Sequence, residues 1–402
     1  MGLIDRIFKK GSKGTTPGGV ALVNEQGSFS QWGGDAYSND IYRGAVDAIA
    51  RNCGKLKGSH IIKYEDHSQI ADCRLNRLLQ TRPNPYMSAY DFLYKLVTRY
   101  YLYNNSFALL DRDSKGAVQA IYPITASFVE MLTDPTNTLW VRFTFSNGKQ
   151  ATFPYRDLIH LRRNFNSNDL LGDDNSALYP ALELAQTQND GIINGIKAGA
   201  NIRGILRFTQ IMSATKLQEE KAAFVTEYLD MTNDGGVIAT DQKMEYTPIE
   251  SKPVILSAEQ TAATQEKIYN YLGVTKEIVN SSYNEDQFSA FYESTIEPIA
   301  LALGMEFTSK IFNDREQSFG NQVIFESGRL TFTSNKTKVS LIKELMPLGL
   351  LTVNQALEIL NLPGVTDGDK RLQSLNYVDQ AIANDYQLGK TGTDNATVQT
   401  GE

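Results

Sequence analysis

Apolar residues in this chain alternate between two periods, and the switches between them mark the elements. In "NDIYRGAVDAIARNC", residues 39–53, Ile41, Ala45, Ala48 and Ile49 recur at helical spacing and predict an amphipathic helix. "SHIIKYE" then reads as a strand. The stretch "RPNPYMSAYDF", residues 82–92, breaks any helix before it, because each proline biases its preceding residue toward extended geometry. Ser88 and Asp91 have the spacing of a helix-capping pair, and an aromatic-rich helix is predicted to follow, to about Tyr103. "SFALLDRDSKGAVQAIYPI" reads as strand, turn and strand. "WVRFTFSNGKQATFP" reads as a hairpin turning at Asn147-Gly148. Residues 40–165 thus form an α+β unit.

Residues 177–200 predict one long helix. Gly191, Gly195 and Gly199 fall four apart on one of its faces. Each glycine costs about 1 kcal/mol against alanine in a helix interior, so the stripe reads either as a frayed or kinked helix or, the preferred reading, as a compensating close approach within the chain or between identical neighbours. Asp190, Asn194 and Lys197 exclude the membrane version of such a stripe. Glu183, Asp190 and Lys197 recur every seven residues and share a face. Beyond it lie a strand, a charged helix around "SATKLQEEKAAFVTEYL", and further strands to residue 256. Ser257 and Gln260 cap another helix running to Leu272. "NSSYNEDQFSA" has no periodicity and predicts a loop. The helix that follows contains Pro298, which predicts a kink. A strand at "NQVIFESGRLTFT" and two short helices close the fold, the second capped by Thr352 and Gln355. The polar tail from about 383 is expected to be disordered.

Composition narrows the function. The chain has 402 residues, enough for two or three compact units, and a net charge of −7, which argues against a broad basic grip on nucleic acid. It has no run of about 18 apolar residues, so no membrane association is expected. The opening "MGLIDRIFKKGSKG" lacks the order of a secretory signal, and Arg6 stands where myristoylation needs Ser or Thr. Two cysteines, Cys53 and Cys73, are not a disulfide framework.

Candidate chemistry is thin. Cys53, His60, His67 and Cys73 are separated by six, six and five residues, spacings that fit no structural zinc site. "GKT" at 389–391 lacks the glycine a phosphate loop needs at 384, which is Asn384. His160 ends an apolar strand with no nucleophile motif beside it. The acidic pairs Asp173-Asp174 and Glu285-Asp286 lie in polar segments, where solvated charge is the ordinary role. No catalytic, cofactor or metal residue is assigned, and a structural rather than enzymatic role is expected.

In their order, "MGLIDRIFKK", "AVDAIARNCGKL", "LLQTRPNPYMSAYDFLYKLVTRYYLYNNSFALLDRD", "IYPI", "DLIHLRR", "YLGVTKEIVNSSYNEDQFSAFYESTIEPIALALGMEFTSKIF" and "LIKELMPLGLLTVNQALEILNLPGV" resemble the portal proteins of tailed double-stranded-DNA bacteriophages, of the HK97-like type. The resemblance spans roughly residues 1–375. The chain departs from it at Asn104-Asn105, where Gly-Asn is usual, and at Val274-Thr275-Lys276, where Val-Pro-Pro is usual.

The resemblance implies a ring, typically of twelve copies, at one capsid vertex, through which duplex DNA is packaged and ejected. It implies a flexible segment at 1–38, a wing at 39–176, stem helices at 177–202 and 257–279 and a clip at 203–256. It also implies a tunnel loop at 280–289, a wing helix and strand at 290–333, a helical crown at 334–382 and a free tail at 383–402. Asn280, Ser281, Ser282, Tyr283, Asn284, Glu285, Asp286, Gln287 and Phe288 would form the tunnel loop. Glu183, Asp190 and Lys197 would face the channel, and Gly191, Gly195 and Gly199 would pack neighbouring stems. Lys216, Glu219, Glu220 and Lys221 of the clip would dock the packaging motor and adaptor. Implied partners are further copies of the chain, non-specific double-stranded DNA, the terminase large subunit, a major capsid or scaffold protein and a head-completion protein. The implied location is the virion, and the host cytoplasm during assembly. Two other readings are a DNA-packaging ATPase or nuclease and a monomeric head or tail structural protein.

Overall fold

A computed structural model describes residues 28–30, 35–65, 67–200, 204–208, 212–228, 244–248, 258–326, 335–360 and 362–373. The first described elements are β1 (Ser28–Ser30), α1 (Asp35–Ser38), α2 (Asp40–Cys53), β2 (Lys57–Lys63), β3 (Ser68–Ile70), α3 (Arg74–Gln80) and α4 (Ala89–Tyr103). The expected cap is present: Ser88 accepts from the Asp91 backbone and Asp91 reaches back to the Ser88 backbone. The Pro-Asn-Pro segment acts as a clasp. Asn84, buried, donates to the carbonyl of Ile121 at 2.8 Å, and Ile121 N–H donates to the carbonyl of Pro83 at 2.8 Å. Scaffold rigidity, not chemistry, explains that stretch.

Next come β4 (Asn105–Arg112), β5 (Val118–Ile124), β6 (Phe128–Thr133), β7 (Leu139–Thr144), β8 (Gln150–Pro154) and β9 (Leu158–Arg162). They make two antiparallel sheets, ordered β5-β4-β9 and β1-β6-β7-β8. Strand β4 is buried along six consecutive residues because it serves two cores. Ala108 and Leu110 point into the larger one, with α2 and α4, while Phe107 and Leu109 join Val129, Met131, Phe143 and Phe153 in the second. A strand buried on both faces reads as a continuous apolar run. The β7–β8 loop is closed by Phe145 and Lys149, with Gly148 at φ +76°, the left-handed geometry that favours glycine.

The chain continues through α5 (Tyr179–Ala200), β10 (Gly204–Phe208), α6 (Ala214–Tyr228), β11 (Met244–Pro248), α7 (Ala258–Leu272), α8 (Lys276–Val279) and α9 (Glu285–Phe291). β10 and β11 pair antiparallel. A π-turn over Tyr292–Ile296 leads into α10 (Glu297–Ile311), then α11 (Asp314–Ser318), β12 (Asn321–Glu326), α12 (Asn335–Leu345), β13 (Leu348–Thr352), α13 (Val353–Ile359) and β14 (Arg371–Gln373). Strand β12 returns across the molecule to pair with β2, giving the sheet β12-β2-β3. Helix α10 lies on β12 closely enough that a side-chain carbon at Gly304 would meet the carbonyl of Val323 at 2.9 Å.

Three expectations change. The segment 1–38 is not wholly irregular, since β1 pairs with β6 and α1 precedes α2. The 280–289 segment is a loop only to Asn284; there Asn284 caps α9 through the Gln287 backbone, with Gln287 returning the bond. Pro298 stands in the first turn of α10, directly after the π-turn that joins α10 to α9 in one continuous helical run. The region after 334 is not purely helical, because β13 and β14 pair around α13. Ser257, the β12 extension beyond Glu326 and the tail from 383 lie outside the described residues.

Candidate functional site

The segment following α7 is built to present polar side chains from a fixed base. Gly273 (φ +75°) ends α7, and its carbonyl accepts from Thr295 at 2.7 Å. Ser281 adopts a left-handed φ of 58°, which turns the chain toward Asn284. Phe288 is 6% exposed and lies between Tyr283 and Phe291, at ring-centroid distances of 5.1 and 6.1 Å. Phe288 is therefore the anchor, and Tyr283 half covers it. Asn280, Ser281, Ser282, Tyr283, Asn284, Glu285, Asp286 and Gln287 are exposed. Glu285 and Asp286 occupy the first turn of α9, where the helix dipole favours negative charge. Glu285 also accepts from the Thr337 hydroxyl of α12 at 3.1 Å, tying this segment to the C-terminal region.

Helix α5 packs on α7 through Leu182, Ala185 and Gln188, the last donating to Thr264 at 3.1 Å in a buried contact. Glu183 and Asp190 are exposed, and Gln186 donates to Asp190 at 3.1 Å. Among the described residues no atom outside its own helix backbone lies within 4 Å of where a side-chain carbon at Gly191 would stand, so none of them packs closely on the stripe there. Gly195 is half-buried. The side chains of Lys197 and Gly199's surroundings lie outside the described residues. Beside the stripe Ile192, Ile193 and Ile196 are exposed, Ile196 by 68%. On α6, Lys216, Glu219 and Lys221 are exposed and Glu220 is half-buried.

At the root of α5 and α7 lies a polar hub that sequence reasoning passes over. Asn104 ends α4 in left-handed geometry (φ 52°) and is fully buried. Its amide donates to the carbonyl of Asp173 at 2.6 Å and to Asn175 Oδ1 at 2.9 Å. Tyr271, near the end of α7, also donates to Asn175 at 2.9 Å. Arg163 donates to the Tyr271 carbonyl at 2.7 Å and lies over the rings of Tyr101 and Tyr271. A side-chain carbon at Gly172 would meet the Arg163 carbonyl at 2.1 Å, so glycine is required at this crossing. The one available signal was the Asn104-Asn105 departure, since asparagine is the residue besides glycine that tolerates this φ.

Other candidates resolve into structure. His160 is buried, stacked on Phe107 with centroids 4.1 Å apart, and bonded to Asn105 and Tyr155 at 3.1 and 3.2 Å. Burial holds its imidazole well below the usual histidine range. Asp173 accepts from Ser167 and Asp174 from the Ser176 N–H, so this acidic pair shapes turns. Among the described residues no three His, Cys, Asp or Glu side chains are placed to share a metal ion.

Fold and surface together define a mixed α/β subunit whose polar and apolar features lie along one long helix and one short capped helix. The sequence profile described as "Phage portal protein" matches residues 41–361, so the chain belongs to the phage portal protein family. It is 21% identical to the "Probable portal protein" of Lactococcus phage p2, with 94% of this chain and 96% of that one covered. It is 22% identical to the "Portal protein" of Enterobacteria phage HK97, with 76% and 73% covered. Among solved structures it is similar to a protein in the neck of a native gene transfer agent particle computed with C12 symmetry. There the TM-score is 0.57 at 14% identity, with 83% of this chain and 92% of that one covered. It is also similar to an HK97-family phage portal protein from Corynebacterium diphtheriae, with a TM-score of 0.50 at 10% identity, covering 77% and 99%.

Proposed function

We propose that this protein is the subunit of a closed portal ring of about twelve copies, set at one vertex of a phage capsid, through which duplex DNA enters and leaves. The profile match across residues 41–361 carries this reading. The similarity to a protein in a neck computed with C12 symmetry supports the copy number. A cyclic ring repeats one heterologous interface, in which a patch on each subunit fits a different patch on the next. Helix α5 offers such a patch in Gly191 and Ile192, Ile193 and Ile196.

In this reading 39–176 with 290–333 is the wing, α5 and α7 the stem, 203–256 the clip, 280–289 the tunnel segment and the region after 334 the crown. Asn280 to Gln287 face the channel from the Phe288 anchor, with Glu183 and Asp190 on the stem wall and Lys197 as a local phosphate contact. Duplex DNA carries a charge about every 1.7 Å, so a basic wall would bind it tightly. A subunit with net charge −7 discourages sticking, and screening within about 8 Å at physiological salt keeps the repulsion from blocking passage. Lys216, Glu219, Glu220 and Lys221 are the docking surface for the terminase large subunit and later for a head-completion protein. The ring contacts the major capsid or scaffold protein, first in the host cytoplasm and then in the virion. Negative-stain images of the purified chain with its mass distribution test the ring; compact particles with no central hole under assembling conditions contradict it.

A further inference from the structure

We propose that Cys73 is a nucleophilic thiol, activated by His60 and oriented by Asn321, that exchanges with small-molecule disulfides. His60 and Cys73, 13 positions apart, meet the distant Asn321 where α3 begins and β2 pairs with β12. His60 Nδ1 lies 3.2 Å from Cys73 Sγ, and His60 Nε2 lies 2.9 Å from Asn321 Oδ1.

The network fixes which ring nitrogen carries the proton. Asn321 Nδ2 donates to the carbonyl of Glu316 at 2.9 Å, so the oxygen of the same amide is the atom turned to His60. An oxygen there accepts, so Nε2 carries the hydrogen and the lone pair of Nδ1 faces the thiol. The backbone and ring of His60 are both held. Its own backbone N–H donates to Asn76 Oδ1 at 2.7 Å, its carbonyl accepts from Ala71 at 3.0 Å, and Phe312 covers the ring at 4.7 Å between centroids. Thiol, imidazole and carboxamide in this order form the arrangement by which a cysteine is activated: the base takes the proton and a third group orients the base.

Exposure separates this thiol from the other. Cys53 is fully buried and burial pushes its thiol up, leaving it inert, whereas Cys73 is half-buried and reachable. In the exchange, His60 Nδ1 takes the Cys73 proton and the Cys73 sulfur attacks one sulfur of the disulfide. The Cys73–sulfur bond forms as the disulfide bond breaks. The departing thiolate is reduced, takes the proton back from His60, and the Cys73 sulfur is the one oxidised. The small disulfide is the only co-reactant needed.

The test uses the full-length chain, reduced and desalted, treated at pH 7 with iodoacetamide or glutathione disulfide and read by site-resolved mass spectrometry. An ordinary cysteine is roughly 3% thiolate at that pH, which leaves room for about a tenfold faster reaction when a neighbouring base takes the proton. Cys73 is expected to alkylate about tenfold faster than N-acetylcysteine and to form the glutathione adduct, with Cys53 untouched. His60→Gln should return Cys73 to the rate of the model thiol, and Asn321→Ala should fall between. The proposal is overturned if wild-type Cys73 reacts no faster than N-acetylcysteine, a comparison that needs no variant to fold. It is equally overturned if His60→Gln leaves the rate unchanged or if no mixed disulfide forms.

Discussion

At the scale of single residues, the strongest determinants are buried polar groups with every bond made. Asn104 combines a left-handed backbone with two amide bonds to the chain leading into α5. Asn104→Ala strains the φ and leaves acceptors at Asp173 and Asn175 short of a donor, so a loss of about 2–4 kcal/mol is expected in urea denaturation. His160 predicts a pH dependence. Its folded-state pKa lies below its ordinary value of 6.5, so below that pH the unfolded chain takes a proton the folded chain refuses. Stability should therefore fall as pH drops from 6.5, and His160→Gln should flatten that slope in urea midpoints at pH 7.5 and 5.5. Burial pushes Glu306 up, which acts in the opposite sense at lower pH and limits the loss there.

At the scale of elements, Gly191 separates the needs of one chain from those of an assembly. With open space around it, Gly191→Ala should stabilise the isolated subunit by up to about 1 kcal/mol in thermal melts. Gly191→Leu should leave the fold intact and block ring formation if neighbouring stems meet there. Helix α9 gives a matching case: Asn284→Ala removes its cap and should cost about 1 kcal/mol, loosening the segment before it. These two helices also show what the sequence could reveal. Periodicity located α2, α4 and α5, because long amphipathic elements repeat their signal, and Ser88 and Thr352 marked helix starts by a spacing the structure uses. Helix α9 escaped because seven residues hold too few turns for a period, and its Asn284–Gln287 cap is less distinctive than a serine with a glutamate. The pairing of β2 with β12, which brings Asn321 to His60 from 261 positions away, leaves no local trace, whereas His60 and Cys73 stand close in the sequence.

For the whole molecule, the proposed ring gives the net charge of −7 and the exposed isoleucines of α5 complementary roles: copies would adhere to one another and not to the polyanion between them. Reversing Glu285 and Asp286 to lysine should slow packaging or alter DNA retention in an in vitro packaging assay. Unchanged packaging would remove that segment from the channel wall. The central claim is the ring itself, and class-averaged electron micrographs of the purified full-length chain under assembling conditions test it most directly. Annular particles with a central hole and about twelve subunits are expected from the proposed ring. Particles that stay compact and without a hole at every concentration and salt tried would contradict it.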